Sequence, residues 1–151
     1  MTFTQLSDLN SVIGKELGPS EWVTVTQEMI KSFAVATLDD QWIHTDIERA
    51  KAHSPFGGPI AHGFLSLSLI SHFVGELIHV ESAKMGVNYG LNKVRFTSHV
   101  PSGARLRMKA TLVQVDPYGE NGVKMVIDGI TEMEGSEKPV CIAQFVALTF
   151  E

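Results

Sequence analysis

An aspartate and a histidine five positions apart, Asp39 and His44, lie in the polar segment Thr37-Leu38-Asp39-Asp40-Gln41-Trp42-Ile43-His44. A carboxylate supplies a hydrogen-bond acceptor, and an imidazole titrates near neutrality. Together they can hold and activate a water molecule. On an ideal helix a spacing of five separates two side chains by about 140°. Convergence therefore needs an irregular loop, which the polar run from Thr37 to His44 is expected to form. Taken alone, the pair reads more simply as a turn-capping Asp and a His packed on Trp42.

A second segment changes that balance. Gly57-Gly58-Pro59-Ile60-Ala61-His62-Gly63 delivers the chain to an apolar stretch of helical character. The first amides of a helix have no acceptor within it, and the helix dipole is positive there. Gly63 would let a ligand approach that backbone closely. This is a candidate oxyanion site for a carbonyl or thioester oxygen. His62 is a candidate substrate contact, although its neighbours point mainly to a role in holding the helix entry. Ser66 and Ser68 fit no nucleophile-elbow pattern. His53, His72, His79 and His99 lack metal-ligand spacing, so no metal site is expected. Asp40 and Asp46 read as turn or cap residues.

The elements that must position these groups divide the chain in two. In the first half, Glu21 to Thr26 suits a short strand. Thr26 offers an N-cap for a helix reaching about Ala36, with Met29, Ile30 and Phe33 on one face. Thr45 and Glu48 have capping-box spacing for a short helix to about Lys51. Ser54 to Pro59 must be a loop. From Gly63 to about Val80, apolar residues surround most of a helix, with Ser66, Ser68, Ser71 and Gly75 as small gaps. A helix of that kind belongs inside a protein.

The second half alternates with period two. Leu106, Met108, Ala110 and Leu112 share one face of a strand, and Arg105, Arg107 and Lys109 share the other. Val123, Met125 and Ile127 repeat the pattern after a turn over Asp116 to Gly122. Val140 to Phe150 is apolar on both faces and suits a central strand. Met85 to Tyr89 and Lys93 to Thr97 read as two shorter strands. The expected fold class is α+β: an antiparallel sheet of about five strands curled around one long central helix. Its outer face or an edge would be left for self-association.

The 151 residues point to a single domain, 1–151, large enough for a real core. Net charge is −5 and the 12 basic residues form no cluster, which argues against nucleic acid or an anionic membrane as partner. Cys141, the one cysteine, lies in an apolar run and reads as a buried structural thiol. The N-terminus shows neither a basic start nor an apolar stretch, so a cytoplasmic protein is expected. The uncharged stretch from Ala52 to Gly75 contains histidines, prolines and a Gly pair that a membrane helix would tolerate poorly.

The pattern Asp39-x-x-x-Ile43-His44, then Pro59-Ile60-Ala61-His62-Gly63, then Ser71, resembles the MaoC-like dehydratases, the (R)-specific enoyl-CoA hydratases of the hot dog fold. Gln41-Trp42-Ile43-His44 and Asn88-Tyr89-Gly90-Leu91-Asn92-Lys93-Val94-Arg95-Phe96 resemble the nodulation-protein-N-like branch more closely. The resemblance implies syn addition of water to a trans-2-enoyl-CoA of fatty-acid metabolism, or the reverse dehydration, without a cofactor. It places Asp39 and His44 in the catalytic roles, the Gly63 amide on the thioester carbonyl, and Ser71 in the supporting polar network. It also implies a homodimer with an acyl-CoA thioester as ligand. Lys93 and Arg95 suit a solvated strand face better than CoA phosphate contacts. Leu38 stands where many members have Gly, and Gln41-Trp42 where many have Asn-Pro. Two other readings share the ligand: a hot dog acyl-CoA thioesterase, or an acyl-thioester-binding protein without turnover.

Overall fold

The helix α4, Gly63–Leu77, is the element around which the rest is arranged. The computed structural model describes residues 1–151. Before α4 come a short strand β1 (Thr2–Phe3), a 3₁₀ helix (Leu6–Val12), two short strands β2 (Glu16–Leu17) and β3 (Val23–Thr24), and three helices. The helices are α1 (Gln27–Thr37), α2 (Trp42–Thr45) and α3 (Ile47–His53). After it come β4 (His79–Val80) and four long strands, β5 (Met85–Phe96), β6 (Arg105–Tyr118), β7 (Gly122–Met133) and β8 (Cys141–Phe150). The main sheet runs β2-β6-β7-β8-β5 with β3 also on β6, and every pairing in it is antiparallel. It has six strands, the two short ones lying beside β6. β1 and β4 form a separate parallel pair.

The core follows the period-two pattern. Leu106, Met108, Ala110 and Leu112 of β6 are buried with Met125 and Ile127 of β7 and Ala143 and Phe145 of β8. Ile70, Phe73, Val74 and Leu77 of α4 pack against them. Full burial of each of the larger side chains among these contributes roughly 1.5–3 kcal/mol. On the opposite face Arg105 pairs with Glu134 and Arg107 with Glu132, each at 2.9 Å. The apolar strand β8 lies between β7 and β5, and both Ala147 and its neighbour Leu148 are buried.

Four details differ from the sequence reading. Met85–Phe96 is one strand: the break expected near Gly90 consists of register shifts between Asn88 and Gly90 and between Leu91 and Lys93, so the chain bulges without leaving the sheet. The turn after β6 is shorter than expected, because the strand continues through Tyr118. The cap of α3 is Asp46, whose Oδ1 accepts the Arg49 amide at 3.0 Å. A carboxylate one residue closer to the helix takes the place expected for Thr45. Finally, α4 ends at Leu77 and is not enclosed all round: Phe64, Ser68, Ser71 and Gly75 form an exposed stripe. The long edge strand β5 is also exposed along nearly its whole length.

Candidate active site

Two chain segments meet to build the site. The first leaves α1, whose start is capped as expected: the Thr26 hydroxyl accepts the Met29 amide at 3.2 Å. α1 ends at Leu38, the one non-glycine residue of the chain with positive φ (φ 61°, ψ 22°). This left-handed geometry is the normal helix stop and is taken most easily by Gly. It turns the chain so that Asp39 leads into α2, which carries His44. The second segment is Pro59 to His62. The Ile60 amide donates to the Ile43 carbonyl at 3.1 Å, and the Ala61 amide donates to the Val100 carbonyl at 2.8 Å. The entry to α4 is thereby pinned between α2 and the chain leading to β6.

His44 is buried, and its tautomer is fixed. Its Nδ1–H donates to the Ile60 carbonyl at 2.7 Å, which leaves Nε2 with a free lone pair in the neutral ring. The Gln27 side-chain amide, from the first turn of α1, donates to the His44 carbonyl at 2.7 Å and holds the backbone behind the ring. Burial pushes the imidazole pKa below its ordinary 6.5. The bond to Ile60 and the Asp39 charge oppose that shift, and His62 reinforces it.

His62 is buried behind His44. The two imidazoles stack with centroids 3.8 Å apart and planes 25° apart. Its Nε2–H donates to the Asp39 backbone carbonyl at 2.9 Å, and the Asp39 carboxylate lies 4.0 Å from the same nitrogen. Asp39 itself is exposed. A carboxylate oxygen of Asp39 and a nitrogen of each imidazole all fall within 4.8 Å of one another. Two hydrogen bonds to one water, meeting near the tetrahedral angle, span about 4.6 Å. The cluster is therefore dimensioned for a bridging water. A carboxylate and two imidazoles are also a metal donor set. However, the lone pairs of the two stacked rings lie in nearly parallel planes with ring centroids 3.8 Å apart, whereas a metal needs them to converge within about 2.1 Å of one point.

His44, Gly63, Ser66, Phe96, His99 and Val140 help line a cavity of about 510 Å³. Gly63 is the first residue of α4, so its amide has no acceptor inside the helix. A Cβ at Gly63 would stand 3.3 Å from the Phe96 ring, so a glycine lets that ring close over the helix start.

The structure thus brings Asp39, His44, His62 and Gly63 into one neighbourhood; His44 and Gly63 line the cavity, whereas His62 and Asp39 lie beside His44 and off the cavity wall. Ser71 stands apart. It is eight residues along α4, about 12 Å at helical rise, and donates to Asn88 Oδ1 at 3.2 Å in a cleft under β5. Gln27, Ser66, Phe96 and His99 were not singled out as site residues from sequence. Gln27 carries no local signal, because only the tertiary contact with His44 distinguishes it from a solvated first-turn residue. Cys141 is buried, with its thiol pushed up to about 11.

Residues 8–134 match the family model for the MaoC like domain. The chain belongs to the MaoC-like dehydratase family. Among its MaoC-like relatives, 3-hydroxyacyl-thioester dehydratase Z of Mycobacterium tuberculosis is 46% identical over 145 residues, covering 96% of this chain and 95% of that protein. Nodulation protein N of Rhizobium leguminosarum bv. viciae is 43% identical, covering 95% and 89%. A solved structure described as a monoamine oxidase regulatory protein from Archaeoglobus superposes with a TM-score of 0.77 at 26% identity, covering 100% of this chain and 97% of that one. The fold is the hot dog fold.

Proposed function

We propose that this single-domain MaoC-like protein is a hydro-lyase that adds water to trans-2-enoyl-CoA to give the (R)-3-hydroxyacyl-CoA, or removes it in reverse. One observation carries the reading: the buried His44 ring, whose Nδ1–H is committed to the Ile60 carbonyl, has a nitrogen within 4.8 Å of an Asp39 carboxylate oxygen, and it lines a cavity that opens on a glycine-started helix. The name of the mycobacterial relative, a 3-hydroxyacyl-thioester dehydratase, supports the same reaction class.

In the proposed chemistry Asp39 orients the water and His44 Nε2 takes its proton as oxygen bonds the β-carbon. The electron pair of the double bond moves to the α-carbon and thioester carbonyl. The Gly63 amide, at the positive end of α4, faces the developing enolate oxygen. A proton from the same pair then reaches the α-carbon, giving net addition of H and OH.

The proposed working form is a homodimer in the cytoplasm. β5 is a long, unpaired edge whose first half exposes Met85, Val87, Tyr89 and Leu91, while the edge charges, Lys93 and Arg95, lie in its second half. No helix is long and apolar enough to cross a membrane.

Crotonyl-CoA tests the reaction. A hydratase bleaches the conjugated double bond without releasing thiol, a thioesterase releases thiol, and a binding protein does neither.

A further inference from the structure

His62 makes two contacts that no substrate-binding residue needs. Its Nε2–H donates to the backbone carbonyl of Asp39 at 2.9 Å, and its ring lies on the His44 ring at 3.8 Å. Its Nδ1 is buried without a protein partner, and Phe33 of α1 packs against it at 5.0 Å. Asp39 is exposed on an irregular loop, and the bond from His62 is its one side-chain anchor through the backbone. His44 by contrast is held by Ile60 and Gln27. We propose that His62 is a positioning residue for the acid/base pair: its donor fixes the Asp39 backbone, and its ring backs the His44 imidazole so that both face one water.

This role rests on the reading of Asp39 and His44 as the pair that activates water. It has two separable parts. The donor sets geometry, on which rate depends steeply: a displacement of about 1 Å can cost 10²-fold. The ring sets charge, because charge on the imidazole stacked at 3.8 Å disfavours a proton on His44. The groups facing His44 are Asp39 from the preceding loop, His62 and the Ile60 carbonyl from the α4 entry, the uncharged Gln27 amide from α1, and His99 across the cavity. Removing the second imidazole therefore lets His44 take a proton at higher pH.

Two variants divide these parts. His62→Gln keeps an N–H donor near the position of Nε2 and loses the ring. His62→Phe keeps a flat ring and loses the donor. Hydration of crotonyl-CoA by His62→Phe is expected to fall about 30-fold in kcat with KM within about twofold, and His62→Gln is expected to restore most of that loss. In both variants the acid limb of kcat/KM moves to higher pH. NMR titration of the His44 ring reads the same displacement without turnover, so it decides the charge part even if the wild-type protein hydrates nothing. If the phenylalanine variant does not fold, the titration of the glutamine variant carries the test. Equal kcat in both variants with an unmoved His44 titration would overturn the proposal.

Discussion

At the scale of residues, His44 holds the account together, since its two nitrogens have different neighbours. One is committed to the Ile60 carbonyl, and the other is left to accept. Burial lowers its pKa from 6.5, so the neutral, accepting form persists below that pH. The acid limb of kcat/KM is expected to have its midpoint below 6.5. Stability has the same sign. With a depressed folded pKa the unfolded chain binds the proton first, so stability present above 6.5 is lost as pH falls through the folded value. A pH–rate profile and denaturant titrations across pH 5–8 check both; an acid limb centred above 7 would contradict the assignment. Leu38 stands at a position where many family members have Gly, and it ends α1 in a left-handed conformation. The backbone takes the left-handed turn that Gly would take, at a strain of roughly 1–2 kcal/mol, with the side chain exposed. Type and spacing alone favour a turn-capping Asp39 and a packed His44; the Pro59-to-Gly63 loop and the family resemblance are what draw attention to the pair. The clamp by His62 was not legible, because a hydrogen bond to a backbone carbonyl 23 positions away leaves no trace in local sequence.

At the scale of elements, the start of α4 matters most. Helix α4 brings uncommitted amides to the cavity, and the Ile60 and Ala61 bonds hold that end next to α2. Gly63→Ala introduces a methyl 3.3 Å from the Phe96 ring. That ring is half-exposed and can give way, so stability is expected to change by about 1 kcal/mol or less. The methyl crowds the approach to the first amide, and kcat/KM is expected to fall about 100-fold. Paired thermal melts and steady-state kinetics separate the two, and an unchanged rate would remove Gly63 from the oxyanion role. Helix α1 and its Thr26 cap were readable because capping chemistry is local. The split expected in β5 was an error of the same origin. Gly90 to Asn92 fell between the two expected strands, whereas pairing with β8 holds Gly90 and Leu91 in register and lets Asn92 bulge.

At the scale of the whole molecule, the sheet order and the exposed stripe of α4 share a consequence. The alternating pattern of the second half foretold a curled antiparallel sheet with a helix against it. It did not reveal that one side of that helix stays open, since apolar residues around most of its circumference read as a helix enclosed on all sides. In the single chain that side is Phe64, Ser68, Ser71 and Gly75, next to the bare edge of β5. A second copy pairing along β5 would cover both. Light scattering is expected to report a dimer. Leu91→Arg, which adds a charge on that edge, is expected to shift it toward monomer with loss of hydration activity. A fully active wild-type monomer would refute the dimeric reading.

Asp39 and His44 are proposed to activate water for addition to an enoyl thioester. The most direct test is the initial rate of crotonyl-CoA bleaching by the wild-type protein, Asp39→Asn and His44→Ala, with free thiol followed in the same samples. Bleaching without thiol release is expected of the wild type, and a loss of about 10²–10⁴-fold in each variant with the fold intact by circular dichroism. Thiol release by the wild type, or full bleaching by both variants, would contradict this assignment.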